Sequence, residues 1–407
     1  MRQITSIIIV LTLLIPKLFA ETINYGDSTI VSLLTCEPGK ELYSQFGHTA
    51  IRIQDTQGVD MVYNYGIFDF RTENFYWKFL KGQTDYMLGV YPTEHFIDEY
   101  SKRNSTVWEQ VLNMNKMEKK RLIEFLNENN LPQNRVYRYN FVYDNCSTRP
   151  YDMINKALIK VAAVDVNYEP ETYRKMINGY IDDFPWSRAG VNLVFGMDAD
   201  KIVRNQQRVF LPENLKEMIQ ATKLIYMEDT RNTIPLVSKA NILVQSTPSK
   251  QNSINYLWHP FTISFLWLIL GIVLMFNRFN IDALRNKMFD SFLFLVTGLG
   301  GLIIFMFMFF SEHPFTGKNI NILWMNPMNL LLALMVWKRS PRKFFFFYNI
   351  IYIFMILLSF IVVVFMVHSS VYDLVPLQIL IFARVVWREE RLLHILFVPT
   401  DTGIKWR

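Results

Sequence analysis

Apolar and polar positions follow two regimes that meet near Lys250. In the first, short runs alternate with period two, the pattern of strands with one buried face. Thr29 to Leu34, Thr49 to Gln54 and Val59 to Tyr65 read this way, and Asp55-Thr56-Gln57-Gly58 supplies the hairpin turn between the last two. Val107 to Asn113 and Asn134 to Tyr143 predict two further strands. Helical spacing appears from Pro92 to Lys102, and again after Asn115. There Glu118 completes a capping box, and Met117, Leu122, Phe125 and Leu126 share a face. The strand ending at Tyr143 runs into a helix expected to reach Ile159. Phe68, Phe70, Phe75, Tyr76, Trp77 and Phe79 form an aromatic-rich connection, expected to be mostly core. Residues 161–230 look largely helical, with a start at Pro212-Glu213; 234–247 have strand-like patches, and 248–252 form a linker. The expected class is α+β.

The second regime is a series of apolar runs near 259–276, 289–310, 320–337, 344–367 and 371–387, which predict an α-helical transmembrane bundle of about five spans. At the other end, Met1-Arg2-Gln3 precedes an apolar run, Ile4 to Ile15, that is short for a span. It reads as a secretory signal cleaved after Ala20, with an uncleaved anchor as the alternative. Either way the following domain is exported. The expected organisation is 1–20 signal, 21–160 exported domain, 161–250 helical extension and linker, 251–390 membrane region and 391–407 cytoplasmic tail.

Charge supports that orientation. The formal net charge is +6 over 407 residues, yet much of the excess sits between apolar runs. Arg278, Arg285 and Lys287 occupy one loop, Lys338, Arg339, Arg342 and Lys343 another, and Arg388, Arg391, Lys405 and Arg407 the tail. Five spans place all three on one side, which is cytoplasmic by the positive-inside rule. Glu312-His313 and His368 to Asp373 then face outwards with the exported domain, and Arg384 is expected to snorkel at the cytoplasmic end of the last span. There is no basic-aromatic groove, zinc-ligand spacing or phosphate-binding glycine loop, so nucleic acid is a poor partner and no metal is called for.

The candidate chemistry lies in two stretches. Asn145-Cys146-Ser147-Thr148 stands at a strand-to-helix junction, where unpaired amides and the helix dipole favour a thiolate. Phe46-Gly47-His48-Thr49 places an imidazole at the start of a strand. Cys146 as nucleophile with His48 as base is one reading. A Cys36–Cys146 disulfide in an exported domain with two cysteines is another. The residues alone leave both open.

Phe46-Gly47-His48-Thr49-Ala50-Ile51-Arg52 and Tyr143-Asp144-Asn145-Cys146-Ser147-Thr148-Arg149 resemble the signature blocks of the Lnb-type lipoprotein N-acyltransferases of Bacteroidota. Tyr63 to Phe70 resembles a third block. Ser311-Glu312-His313-Pro314, with Asn319 and Leu323 to Pro327, resembles a fourth. The order of His-strand and Cys-helix is also similar to the permuted papain-like fold of lecithin:retinol acyltransferase relatives. The resemblance implies an inner-membrane enzyme with a periplasmic domain and no cofactor. It would move an acyl chain from a membrane phospholipid, through a Cys146 thioester, to the α-amine of diacylated lipoproteins. His48 would act as base and then acid. For the third group Asn64, Tyr65 and Asp69 are open, with Asn64 preferred, and Asn145 would position the loop or help bind the oxyanion. Tyr65, Asp69, Arg149, Glu312, His313 and Asn319 are the expected substrate contacts. The competing readings are a periplasmic cysteine peptidase or amidase acting on cell-wall peptide, and a non-enzymatic sensor or assembly factor closed by the disulfide.

Overall fold

The computed structural model describes residues 28–400 and 403–406, apart from 40, 42–43, 70, 165–167, 227–228, 248–254, 277–282, 339–342 and 367–368. The expected signal and linker, and Phe70, Arg278, Arg339, Arg342, His368 and Arg407, lie outside the described residues. The first half is built on strands β1 (Ile30–Cys36), β2 (His48–Gln54), β3 (Asp60–Ile67), β4 (Asp85–Pro92), β5 (Val107–Leu112) and β6 (Val136–Arg138). A smaller sheet contains β7 (Val161–Val164), β8 (Thr222–Tyr226) and β9 (Asp229–Pro235), and β10 (Val237–Val244) returns to the main one. The main sheet is antiparallel in the order β10-β5-β1-β2-β3-β4-β6.

Among the described residues, seven α-helices accompany the sheets: α1 (Phe75–Leu80), α2 (Thr93–Lys102), α3 (Lys116–Asn130), α4 (Thr148–Ala157), α5 (Tyr173–Ile181), α6 (Pro185–Val194) and α7 (Pro212–Ala221). Strand alternation sorts the main sheet into two faces. Val31, Leu33, Ile51, Ile53, Tyr63 and Tyr65 pack with Leu122 and Leu126 of α3, Ile154 and Ala157 of α4, and Leu215, Met218 and Ile219 of α7. On the other face Leu34, Cys36, Ala50 and Val62 pack with Phe96 and Tyr100 of α2. The capping box at Asn115 and Glu118 forms as expected. Glu118 does more: it also accepts the Ile159 N–H and an ion pair from Lys160, fixing the chain just beyond α4.

Three local expectations change. The strand expected over 134–143 ends at Arg138, because the Asn140 side chain accepts the Val142 and Tyr143 N–H groups and turns the backbone. Residues 161–230, expected to be largely helical, contain β7 and β8 as well as helices. The aromatic connection is core only in part: Phe75 is buried, but Tyr76, Trp77, Phe79 and Leu80 are exposed.

The second half contains α8 (Pro260–Phe276), α9 (Leu284–Phe310), α10 (Asn329–Met335), α11 (Lys343–Met366) and α12 (Val375–Leu396). Among the described residues α9 and α11 contain stretches long and apolar enough to cross a membrane, and α8 is a shorter apolar helix. The run expected as a third span is not one helix. A 3₁₀ turn, Ile320–Leu323, is followed by the seven-residue α10, with Pro327 between them. Proline breaks the helical ladder, and buried amides take over: Asn329 donates to Thr297 and Trp324, and Asn321 accepts from the Trp324 indole. At membrane depth such irregular backbone is tolerated where it is buried in protein or lines a water-filled cavity, and here Asn321, Trp324, Met325 and Asn326 are buried. Arg384 does not snorkel. It is fully buried and pairs with Asp290 at 2.6 Å, which also binds Arg388 at 2.7 Å.

Removing one partner of a buried charge pair strands the other, at a cost of about 3–5 kcal/mol. Asp290→Ala therefore lowers the melting temperature of the full chain in detergent, and Asp69→Ala, which loses an exposed ion pair and an exposed N–H contact with Arg71, leaves it nearly unchanged.

Candidate active site

Cys146, His48 and Asn64 meet where two strands part. The β2–β3 ladder runs from Gln54↔Asp60 to Ile51↔Tyr63 and stops there. β3 then bulges between Asn64 and Ile67. Gly66 sits in that bulge at φ +95°, and a Cβ there would lie 3.3 Å from the Cys146 Cβ and 3.7 Å from the His48 ring. Glycine supplies both the left-handed backbone and the space. Cys146, just before α4, enters the fork from the α4 side of the sheet.

Two local devices hold it there. Asn145 accepts the Ser147 and Thr148 N–H groups at 2.7 and 2.9 Å and donates to the Phe141 and Phe210 carbonyls. Its side chain is fully engaged, so of the two expected roles its contacts are those of loop positioning, and its amide has no donor left for an oxyanion. The second device begins with a missing donor. Arg149 and Tyr151 donate to the Asn145 and Ser147 carbonyls, but Pro150 has no N–H for Cys146. The Thr49 hydroxyl takes that free carbonyl at 2.5 Å. The residue beside His48 thus pins the backbone of Cys146.

His48 is oriented from behind. Its Nε2 lies 2.6 Å from Asn64 Oδ1, and the Asn64 amide donates to Tyr91 Oη at 2.7 Å. An amide oxygen only accepts, so Nε2 carries the proton and Nδ1 is left for the thiol. Burial alone would push the Cys146 thiol up. The charge and hydrogen bond of His48, the Thr49 N–H and the residue's own N–H outweigh it, and the thiol sits below its ordinary value. Burial would likewise lower His48, but the Cys146 charge and hydrogen bond, with Asn64, raise it. The two shifts run in opposite directions, each favouring the charged form beside the other. Tyr86, Tyr137 and Tyr139 all feel the charge at Cys146 and line its surroundings.

Both cysteines are free, which removes the structural basis of the disulfide reading. Cys36 lies opposite His48 in the β1–β2 register, is buried, and hydrogen-bonds Tyr100; burial pushes its thiol well up.

The other expected residues divide. Tyr65 is buried on the opposite face from His48 and Asn64. Arg149 pairs with Asp144 at 2.5 Å and lies 3.5 Å over the Tyr137 ring, close beneath the thiol loop. Asp69 is turned to solvent with Arg71, so it does not back the imidazole. Glu312 binds Arg138 and Gln83, and His313 contacts the Phe79 carbonyl at 2.6 Å. Asn319 is buried, and its amide is spent on the Leu193 and Val194 carbonyls at the end of α6. Its contacts are those of a connector between the two halves. Sequence reasoning missed Thr49, Tyr91 and Gly66. Pro150 was a signal for the first, since it announces an unpaired carbonyl at Cys146, and a glycine closing a Tyr-Asn-Tyr run was a signal for the last. Nothing local marks Tyr91.

Two family models match the chain: residues 16–179 match the Lnb N-terminal periplasmic domain, and residues 250–389 match the Lnb transmembrane domain. No curated protein and no solved structure matches it.

The paired shifts set a pH profile. The thiolate forms above its lowered pKa and the imidazolium persists up to a raised one, so alkylation of Cys146 stays fast below the ordinary thiol value of about 8.5. In His48→Ala burial wins, and the alkylation profile moves above that value; Asn64→Ala falls between. Gly66→Ala, strained by the φ and crowded at Cys146, slows alkylation at every pH.

Proposed function

The chain belongs to the Lnb family, as a membrane protein with a periplasmic N-terminal domain, and from that premise we propose that it is an inner-membrane lipoprotein N-acyltransferase. The observation that carries the reading is the Cys146–His48–Asn64 constellation, with its lowered thiol and its oriented imidazole. A thiolate with a protonated imidazole beside it has what acyl transfer through a thioester needs. Asn64 oxygen on Nε2 with the thiol on Nδ1, against an antiparallel sheet, supports the permuted papain-like arrangement.

The reaction runs in two halves. The Cys146 sulfur attacks the ester carbonyl of a phospholipid, and the tetrahedral oxyanion faces the N–H groups of Thr49 and Cys146, which already point at the sulfur. The carbon–oxygen bond breaks, His48 gives its proton to the departing lysolipid alkoxide, and an acyl-thioester remains. The α-amine of a diacylglyceryl-cysteine then attacks the thioester. Neutral His48 takes the amine proton, the amide forms, and the Cys146 thiolate leaves beside the imidazolium that began the cycle. The transmembrane half, which hydrolysis of a soluble wall peptide does not require, favours this chemistry over that one.

Cys146→Ser and His48→Ala abolish N-acylation of lipoproteins, and both proteins still insert in the membrane. Mass spectrometry of lipoprotein N-termini from cells depending on each variant reads this; unchanged N-acyl chains in the Cys146→Ser strain would falsify the assignment. With phospholipid and no acceptor, the native protein accumulates a hydroxylamine-labile acyl group on Cys146. His48→Ala slows its formation by about 10²–10⁴-fold, the usual contribution of a positioned acid–base.

A further inference from the structure

Helix α1 exposes a face that a protein in water would not keep. Of its six residues only Phe75 is buried, and Tyr76, Trp77, Phe79 and Leu80 are 74, 50, 43 and 48 % exposed. Its charges are Lys78 and the following Lys81, whose ammonium lies 5.0 Å from the centre of the Trp77 ring; the helix has no acidic residue. Exposed Trp and Tyr with Lys at their edges is the composition of the membrane–water boundary, where amphipathic rings sit at headgroup level and basic groups meet anionic phosphates.

The position of α1 fits the same boundary. The turn after α9 is bound directly to the end of α1: the Glu312 N–H donates to the Lys81 carbonyl at 2.7 Å, and His313 Nε2 meets the Phe79 carbonyl at 2.6 Å. Gly82, at φ +67°, lets the two backbones touch, since a Cβ there would lie 2.8 Å from the His313 nitrogen. At about 1.5 Å per residue the 27 residues of α9 exceed the roughly 30 Å of a bilayer core, so its end stands at the headgroups. Phe309 and Phe310 at that end are themselves 63 and 55 % exposed. The apolar surface of the span therefore continues onto α1. From there rings lead inward: Phe75 packs on Phe68, Phe68 on Tyr86, and Tyr86 is one of the tyrosines that feels the charge of Cys146.

We propose that α1 is an interfacial anchor whose Tyr76–Leu80 face inserts among the phospholipids of the periplasmic leaflet, holding the Cys146 fork at the level of lipid ester groups. This rests on the membrane placement of the chain, and its lipid contact is independent of the acyl-transfer chemistry. Lys78 and Lys81 would lie against phosphates, and the Phe75–Phe68–Tyr86 run would offer a wall along which an acyl ester reaches the thiol.

The test uses the full chain in nanodiscs of phosphatidylethanolamine and phosphatidylglycerol, with the photo-crosslinker p-benzoylphenylalanine in place of Trp77, Leu80 or, as control, Met117, which is exposed on α3. Phospholipid adducts at 77 and 80 and none at 117 are expected. No lipid adduct at 77 or 80, or adducts to a second copy or another protein instead, would overturn the proposal. In a second arm, Trp77→Glu with Leu80→Glu loses lipid adducts to a crosslinker placed at Tyr76 and slows acylation of Cys146 by bilayer phospholipid. Alkylation of Cys146 by a small soluble reagent stays at the native rate, which reports an intact site. Acylation at the native rate would refute the anchoring role. If even the native protein is never acylated, the enzyme assignment fails, and the crosslinks still decide the anchor.

Discussion

The Cys146 thiol is lowered and the His48 imidazole raised because a sheet comes apart at one point and lets the two meet. β2 and β3 pair as far as Ile51↔Tyr63 and then diverge, and the fork admits a thiol from the helix side to an imidazole on the other face. Burial acts against both charged forms, and it would win without specific compensation. The compensation is local: Asn64 behind the ring, the Thr49 N–H at the sulfur, and the Thr49 hydroxyl on the carbonyl that Pro150 leaves free. Each depends on strand register. A slip of one residue in β2 would turn His48 to the opposite face and move Thr49 with it.

The rest of the molecule fixes where that fork stands. The final carbonyls of α6 have no glycine cap and are satisfied from elsewhere. Asn319 and Asn321, from the membrane half, take the carbonyls of Asn192, Leu193 and Val194, and Arg174 takes those of Phe195 and Gly196. Gly196 lies so close to Gly317 that a side chain would collide with its carbonyl. With Arg188–Asp373 and Arg138–Glu312, these contacts make the two halves share hydrogen-bond partners rather than merely touch. Polar groups in such a junction are costly if left unpaired, so the broken segment before α10 has its place inside the protein.

Much of this could be read from the chain because it follows from local rules. Alternation located β2 and β3, the Asn115–Glu118 box located α3, and the expected helix start put Cys146 within two residues of α4, although the strand before it ends earlier, at Arg138. What could not be read depends on tertiary partners. The exposure of Trp77 and Phe79 follows from where α9 ends, and an aromatic run looks the same whether it faces core or lipid. Arg384 looked like a snorkelling cation because Asp290, its partner, lies almost a hundred residues away. The apolar run of 320–337 had the hydropathy of a span, but Pro327 and three asparagines carried the contrary information. Asn145 and Asn64 are the same residue type near the same site. Only the geometry separates the one that holds the loop before a helix from the one that orients a base.

The same comparison separates the two cysteines. Cys36 lies directly across from His48 in the strand register and on the same face, nearer in topology than Cys146. Proximity to an imidazole is therefore not what makes a nucleophile. His48 Nε2 is committed to Asn64, and Nδ1 is turned to the fork. Cys36 has the Tyr100 hydroxyl instead, and neither that hydrogen bond nor Arg103 nearby offsets its desolvation. Its thiol stays protonated, a small apolar group beneath the ring. The Cys146 thiol is lowered because it stands at the fork, where backbone donors and the imidazole reach the sulfur together. The orientation of one histidine, set by one asparagine, decides which of two free thiols can react.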